Sequence, residues 1–289
     1  HLMEILAQLI LNGVIAGALY ALMALGFNLI YGVTRFFNLA HGVLAAIGGY
    51  AFFTISKMLG LNVYLGVSIG VAIAGFAGYG FERLVYSKLR KRKASNLVLL
   101  VASLGVFTAT QAALSIIFTS QFQTLSDTAG QESLRAFGGV VTITQLVIIS
   151  SSIASMLGLA ALLNGTSFGK AVRAISDDEE VARMVGINTG RVTGYVFFIG
   201  SAIAGLAGVL AGFDTGIQPT MGMGLLLKGV IASIIGGVGN IYGGVLGAFL
   251  LGLVENLGIW KIPGEWKDAV SFLLLIAFLV FRPQGIIKR

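Results

Sequence analysis

The sequence predicts an all-α fold, a polytopic bundle of transmembrane helices, on three observations. Hydrophobic residues make up 56% of the 289 residues and charged residues 11%, whereas soluble domains carry about 25% charged residues. The mean hydropathy is +0.92. Uncharged stretches recur along the whole chain, and a bilayer-crossing helix needs roughly 20 apolar residues. We therefore expect a single transmembrane domain over residues 1–289.

Composition also limits the chemistry. The chain has no cysteine and two histidines, so neither thiolate chemistry, a disulfide framework nor a metal site is expected. His1 precedes Met3, and residues 1–2 are expected to be an expression remnant. The net charge of +7 lies mostly in short loops beside apolar runs, which indicates contact with anionic membrane lipid and no nucleic-acid partner.

The elements follow from the uncharged runs. The first run, 5–34, is one predicted crossing, and eight more follow, which makes nine in all. The last long run counts as two crossings because a Gly-rich break at 236–240 divides it. The alternative is eight crossings, with one segment of the last third continuous or re-entrant. The further crossings are 36–56, 58–86, 96–119, 140–163, 192–213, 225–237, 241–256 and 268–281.

Charge sets the orientation. The segment 88–93 reads KLRKRK, with five basic residues in six, and cytoplasmic loops are rich in Lys and Arg. Counting crossings from there puts the loop 164–191 in the cytoplasm, the N-terminus outside and the C-terminus in the cytoplasm. The opposite loop, 120–138, contains Asp127 and Glu132. It is either a solvated connector or a docking surface for an extracytoplasmic partner.

The predicted cytoplasmic loop 164–190 contains a short helix. Ser176 is the expected N-cap, and Glu179 three residues later completes a capping box. Glu179 and Glu180 suit the positive N-terminal end of a helix, and Arg183 follows Glu179 at i+4. Gly186 is expected to end the helix.

The same loop has an apolar face made of Val181, Met184 and Val185. The helix is either a link between two spans or a docking element for a missing partner. Glu180-Val181-Ala182, three residues and then Gly186 resembles the Glu-Ala-Ala-x-x-x-Gly loop of ABC importer permeases, with Val181 as the departure. The resemblance implies that this loop couples the permease to an ATPase through Glu180, Ala182 and Gly186.

A second resemblance covers essentially the whole chain. The runs Gly17 to Gly26, Leu29 to Val33 and Asn38 to Gly42, with the stretch 236–257, are similar to the permeases of branched-chain amino acid ABC importers. Val43 departs from the Glu that many relatives carry after His-Gly.

This resemblance implies a multi-pass subunit of a bacterial or archaeal inner (plasma) membrane complex. Its partners would be a second homologous permease, two ABC ATPase subunits and an extracytoplasmic solute-binding protein. The chain would carry small, branched-chain or hydrophobic amino acids and be no enzyme itself; it has no G-x-x-x-x-G-K-[ST] motif for ATP. No cofactor is implied. Urea or short amides, or ion-coupled transport of a small polar solute, are the alternatives.

Polar residues within membrane spans are costly and often functional. The pathway candidates are Asn28, Asn38, His41, Asn240 and Glu255. The competing interpretations are an N-cap role for Asn38, a hydrogen-bonded structural role for His41 and a position near the membrane interface for Glu255. The pattern Asn-x-x-x-Gly-Val-Leu-x-Ala occurs at both 38–46 and 240–248, which either is chance or marks two equivalent helix starts.

Overall fold

The predicted helical class is present. The computed structural model describes residues 2–125, 133–136 and 138–287. Its α-helices are α1 (Leu2–Thr34), α2 (His41–Phe52), α3 (Val63–Phe81), α4 (Ser87–Lys91), α5 (Asn96–Phe118), α6 (Ile143–Gly165), α7 (Ser167–Asp177), α8 (Glu179–Met184), α9 (Thr189–Thr215), α10 (Met221–Gly236), α11 (Ile241–Gly258) and α12 (Lys267–Phe281).

Three short helical segments complete the set. The π-helical segment Phe53–Met58 continues α2, and the π-helical segment Glu82–Tyr86 joins α3 to α4. A single 3₁₀ turn, Gly264–Trp266, precedes α12.

Within the described residues, six helical stretches are long and apolar enough to cross a membrane, and α10 is a shorter apolar helix. The polytopic architecture is thereby confirmed. The six stretches are Met3–Thr34, Val63–Lys91, Asn96–Phe118, Ile143–Gly165, Thr189–Thr215 and Ile241–Gly258.

Side-chain caps explain where several helices begin. The Asn62 side chain accepts a hydrogen bond from Tyr64 N at 2.8 Å at the start of α3. Thr142 and Gln145 form a reciprocal capping box at the start of α6, with distances of 3.1 and 3.3 Å. These bonds satisfy backbone amides that have no partner inside the helix.

A two-stranded hairpin departs from the all-helical prediction. Strand β1 (Ser133–Ala136) pairs antiparallel with β2 (Gly139–Thr142), immediately before α6. The Gln8 side chain on α1 accepts from Val140 N at 2.8 Å and donates to Val140 O at 3.1 Å. Because Gln8 satisfies both backbone groups of one edge residue, the hairpin is fixed against the first turns of α1.

Small residues hold the core together. Helix α1 packs along α11 and also against α9 and α10, while α9 packs against α2 and α3. A Cβ on Gly17 would lie 2.8 Å from Phe249 Cα, so these two helix backbones approach as closely as glycine allows. Such packing is typical of membrane helices, which gain little from hydrophobic burial against each other.

The bundle has two ends, which we name by their contents. At the α8 end, α1 finishes near α7, and Arg35 Nη2 donates to Ser176 O at 2.5 Å. The C-terminal segment also folds back there, since Ile286 N donates to Ile235 O at 2.9 Å and Ile287 N to Gly236 O at 3.0 Å. At the hairpin end, α1 and α6 begin and α9 and α11 finish.

Candidate functional site

The helix predicted in the loop 164–190 is divided into α7 and α8. Thr166 caps α7, which runs through Ser176, so the prediction that Ser176 begins the helix is wrong. Asp178 begins α8 instead, and its Oδ1 accepts from Glu180 N at 2.8 Å and Val181 N at 3.0 Å. The extended backbone of Asp178 breaks the helix, and its carboxylate then satisfies two amides.

Other parts of that prediction hold. The Arg183 guanidinium lies 2.8 Å from the Glu179 carboxylate in an i,i+4 ion pair. Gly186 follows the helix with a φ of +89°, a left-handed conformation that glycine adopts without steric cost. Helix α8 is shorter than expected, with six residues, because Asp178 starts it two residues later than predicted.

The apolar face of α8 is turned outward. Ala182 is 2% exposed and packs into the hydrophobic core. The predicted apolar residues have large exposed fractions instead: Val181 50%, Met184 78% and Val185 72%. Val185 lies just past the helix, at its C-cap. The α8 patch, which we define as Val181, Met184 and Val185, is thus anchored by Ala182 and free to contact a partner.

Two sets of hydrogen bonds tie α7 to the bundle. The first is the bond from Arg35 to Ser176 O, which joins α7 to the segment after α1. In the second, the Arg173 guanidinium donates to Leu163 O and to Asn164 Oδ1, and Asn164 Nδ2 donates to the Tyr242 hydroxyl at 2.9 Å. These bonds join α7, through Asn164 of α6, to Tyr242 at the start of α11.

Two of the predicted pathway residues are brought together. Asn28 Nδ2 donates to Asn240 O at 3.1 Å, and Asn28 Oδ1 accepts from Gly239 N at 2.9 Å. The Asn240 side chain caps α11 by accepting from Tyr242 N and Gly243 N, each at 3.0 Å. Both residues line a cavity of about 290 Å³ that Arg173 and Ser176 also line. Asn28 and Asn240 thus connect α1 to the turn before α11, beside α7.

Asn38 is buried, but it is not the N-cap of α2. Helix α2 begins after Ala40, which makes no side-chain cap. Asn38 Oδ1 accepts from Ala40 N at 3.1 Å and from the Tyr86 hydroxyl at 2.9 Å. The N-cap interpretation is therefore wrong by two residues, because the side chain closes a turn ahead of the helix. Asn240, in the matching pattern, is a true N-cap.

His41 is fully buried at the first position of α2. Neither ring nitrogen makes a hydrogen bond of ordinary length to a described residue, although the Met23 backbone lies nearby. The ring fills the space beside Gly26, where a Cβ would lie 2.8 Å from His41 Cε1. Close packing between α1 and α2 places this ring.

Glu255 lies inside the bundle, near the end of α11, and is fully buried. Its Oε1 is 2.6 Å from Lys228 Nζ and accepts from the Ser271 hydroxyl, and its Oε2 accepts from the Tyr20 hydroxyl at 2.8 Å. Lys228 Nζ also lies 2.8 Å from Asp268 Oδ1. The sequence prediction missed Lys228, although a lone lysine within the short apolar helix α10 was a usable signal.

Two further points concern metal ligands and the loop 120–138. Among the described residues, no cluster of three or more His, Asp or Glu side chains could hold a metal ion. Asp127 and Glu132, assigned either to a connector or to a docking surface, lie outside the described residues.

The sequence of this chain is similar to those of known proteins. A family model described as "Branched-chain amino acid transport system / permease component" matches residues 9–279. The chain is 35% identical to the high-affinity branched-chain amino acid transport system permease protein LivH of Salmonella typhimurium, over 98% of this chain and 95% of that protein. It is 32% identical to the permease protein BraD of Pseudomonas aeruginosa, with the same coverage of both chains.

Among solved structures, PsaBC from Streptococcus pneumoniae in complex with Fab aligns with a TM-score of 0.48 and 13% identity. The alignment covers 98% of this chain and 92% of that one.

Proposed function

The chain belongs to the family of permease components of branched-chain amino acid transport systems, and we propose that it carries branched-chain aliphatic amino acids inward across a bacterial or archaeal plasma membrane. Membership of this ABC importer family makes it a transporter subunit rather than an enzyme, with ATPase and substrate-binding partners. The observation that carries the proposal is the 35% identity to LivH, which extends over 98% of the chain.

We propose nine crossings, with the N-terminus outside and the C-terminus in the cytoplasm. The segment 88–93 belongs to the α8 end, because Tyr86 bonds to Asn38 and Asn96 Nδ2 donates to Arg35 O at 3.4 Å. Its basic residues favour a cytoplasmic location for that end. The crossings would be α1, α2 with its π-helical continuation, α3 to α4, α5, α6, α9, α10, α11 and α12.

The α8 patch is proposed to dock on an ATPase subunit. Exposed apolar residues at a solvent-facing end are a common feature of protein–protein contacts. Glu179, Glu180 and Arg183 surround the patch with charge, as at the polar rim of an interface. Ala182 would hold α8 against the bundle. Gly186 would end α8 and turn the chain toward α9.

Transmission from α8 to the membrane is proposed to follow the bonds of α7. Arg35 links Ser176 to the segment that leads from α1 to α2, and Asn164 links Arg173 to Tyr242 of α11. Asn28 and Asn240 then join α1 to the turn before α11. ATP-driven displacement of α8 would shift both helix starts together, as alternating access requires.

The translocation pathway is proposed to form between this chain and a second homologous permease subunit. Both side-chain polar atoms of Asn28, the side-chain oxygen of Asn240 and both carboxylate oxygens of Glu255 already bond within the chain. His41 is enclosed between helices. These four pathway candidates would therefore act by setting helix positions around that pathway.

Reconstitution tests this function. The permease, its permease partner, two ATPase subunits and the binding protein would be placed in liposomes, with leucine uptake measured with and without ATP. We expect uptake that requires ATP and binding protein and that valine and isoleucine inhibit. Uptake driven by a proton or sodium gradient without ATP would overturn the proposal, as would ATP-driven uptake of urea in place of leucine.

A further inference from the structure

A second cavity, of about 410 Å³, lies within the chain at the hairpin end. It is formed by α1, α9, α10 and α11 together with the starts of α6 and α12. Pockets for small molecules are typically about 300–1,000 Å³ and combine an apolar lining with a few polar groups. The residues that line this cavity take no part in the interactions described at the α8 end. The cavity is therefore a candidate for a separate ligand site.

The cavity contains one acidic and one basic side chain. Asp214 stands in the last turn of α9, and Lys267 is the first residue of α12. The C-terminal end of a helix carries partial negative charge and the N-terminal end partial positive charge. Each helix end therefore has the same sign as the side chain it presents, and together they favour a cation beside Asp214 and an anion beside Lys267.

Both charges are only weakly engaged. Asp214 Oδ1 accepts from Gln145 Nε2 at 3.4 Å, and Lys267 Nζ donates to Asn256 Oδ1 at 3.5 Å. In the described part of the chain neither takes part in an ion pair, whereas the neighbouring Lys228 lies 2.6 Å from Glu255. Partly buried charges are costly without close partners, so these two are placed where a ligand would satisfy them.

The remaining lining mixes polar side chains, among them Asn12, Tyr20 and Thr215, with aliphatic ones. Ile15, Leu19 and Leu225 contribute branched hydrocarbon surface beside the polar groups. A ligand that matches the lining has an ammonium, a carboxylate and a short branched apolar chain. These are the groups of an aliphatic α-amino acid in its zwitterionic form.

We propose that this cavity binds an aliphatic α-amino acid within a single permease subunit, with its ammonium at Asp214 and its carboxylate at Lys267. The inference rests on the proposed function and adds to it a substrate site, at the end of the bundle opposite α8. The site would hold the amino acid after its release from the binding protein and before its passage between the subunits.

The test measures binding of leucine to the permease–ATPase complex in the absence of the binding protein. Saturation-transfer NMR detects the bound leucine. Two analogues each retain one charge: isocaproate lacks the ammonium and isoamylamine lacks the carboxylate. We expect Asp214→Asn and Lys267→Gln each to weaken leucine binding about tenfold, as expected for loss of one charged hydrogen bond. Asp214→Asn should leave isocaproate binding unchanged, and Lys267→Gln should leave isoamylamine binding unchanged.

Matched controls are Glu265→Gln and Lys261→Gln, which remove exposed charges of the same end that do not line the cavity. Leucine binding that is absent, or equal in all four variants, would overturn the inference. ATP-driven leucine uptake by the reconstituted wild-type importer is measured in parallel. Uptake without cavity-dependent binding refutes this site alone, whereas failure of the wild-type importer to take up leucine refutes the proposed function.

Discussion

Lys228 and Glu255 form an ion pair inside the bundle, with Lys228 Nζ 2.6 Å from Glu255 Oε1. The pair joins α10 to α11, and the Ser271 hydroxyl donates to the same carboxylate oxygen from α12. Three helices of the last third therefore meet at one carboxylate, which fixes α12 although that helix has only 15 residues.

Replacing Lys228 with Met should destabilise the permease strongly. Removing one member of a buried pair leaves an uncompensated charge and typically costs about 3–5 kcal/mol. Thermal unfolding of the purified complex, followed by tryptophan fluorescence, would show a lower midpoint. Asp268→Asn is the matched control, because Asp268 also contacts Lys228 but is 77% exposed. A midpoint no lower in Lys228→Met than in Asp268→Asn would contradict the assigned role.

Gly186→Val should separate ATP hydrolysis from transport. A side chain at position 186 would have open space around it. The backbone at this position is left-handed, and a residue other than glycine adopts that conformation at a cost of about 1–2 kcal/mol. The strain would move the end of α8 and change its contact with the ATPase. The measurement is leucine transported per ATP hydrolysed. Gly190→Ala is the control, since Gly190 lies in the first turn of α9 without that conformation; equal ratios in the two variants would argue against coupling through Gly186.

Met184→Glu should weaken association of the ATPase subunits about tenfold or more. Met184 is the most exposed residue of the α8 patch, at 78%, and a charge introduced into an apolar contact must be desolvated. Co-purification and light scattering would report the loss. Arg191→Gln removes an exposed charge at the start of α9, outside the patch and its charged rim, and should assemble normally. Normal assembly of Met184→Glu would mean that the ATPase docks elsewhere.

Arg173→Met should preserve ATPase binding but lower transport. The substitution keeps an unbranched apolar stem but removes the guanidinium and its bonds to Leu163 and Asn164, which lead to Tyr242. We expect a lower transport-to-hydrolysis ratio with assembly unchanged. The control Lys170→Met removes an exposed charge from the same helix. If both variants transport at the same rate, the Asn164 bridge does not carry the coupling.

Sequence patterns predicted the elements that depend on neighbouring residues. The i,i+4 pair of Glu179 and Arg183, the stop at Gly186 and the helix start at Asn240 are local, and all three are present. The start of α8 was misplaced because Ser176 and Asp178 are both good caps. The choice between them depends on α7, which continues through Ser176.

Long-range relationships could not be read in this way. Lys228 and Glu255 are 27 residues apart and Asn28 and Asn240 are 212 residues apart. Their pairing depends on which helices pack together, a result of backbone contacts between small residues such as Gly17. Charge patterns mark such residues as unusual but do not assign their partners.

The backbone pairing of Ile286 and Ile287 with Ile235 and Gly236 has a practical consequence for labelling this protein. An affinity tag or fluorescent reporter fused directly after these residues would pull on the turn between α10 and α11, and a reduced yield or rate could then be mistaken for an intrinsic property. A long flexible spacer after the tail, or insertion at the hairpin end, would report on the importer without disturbing that turn.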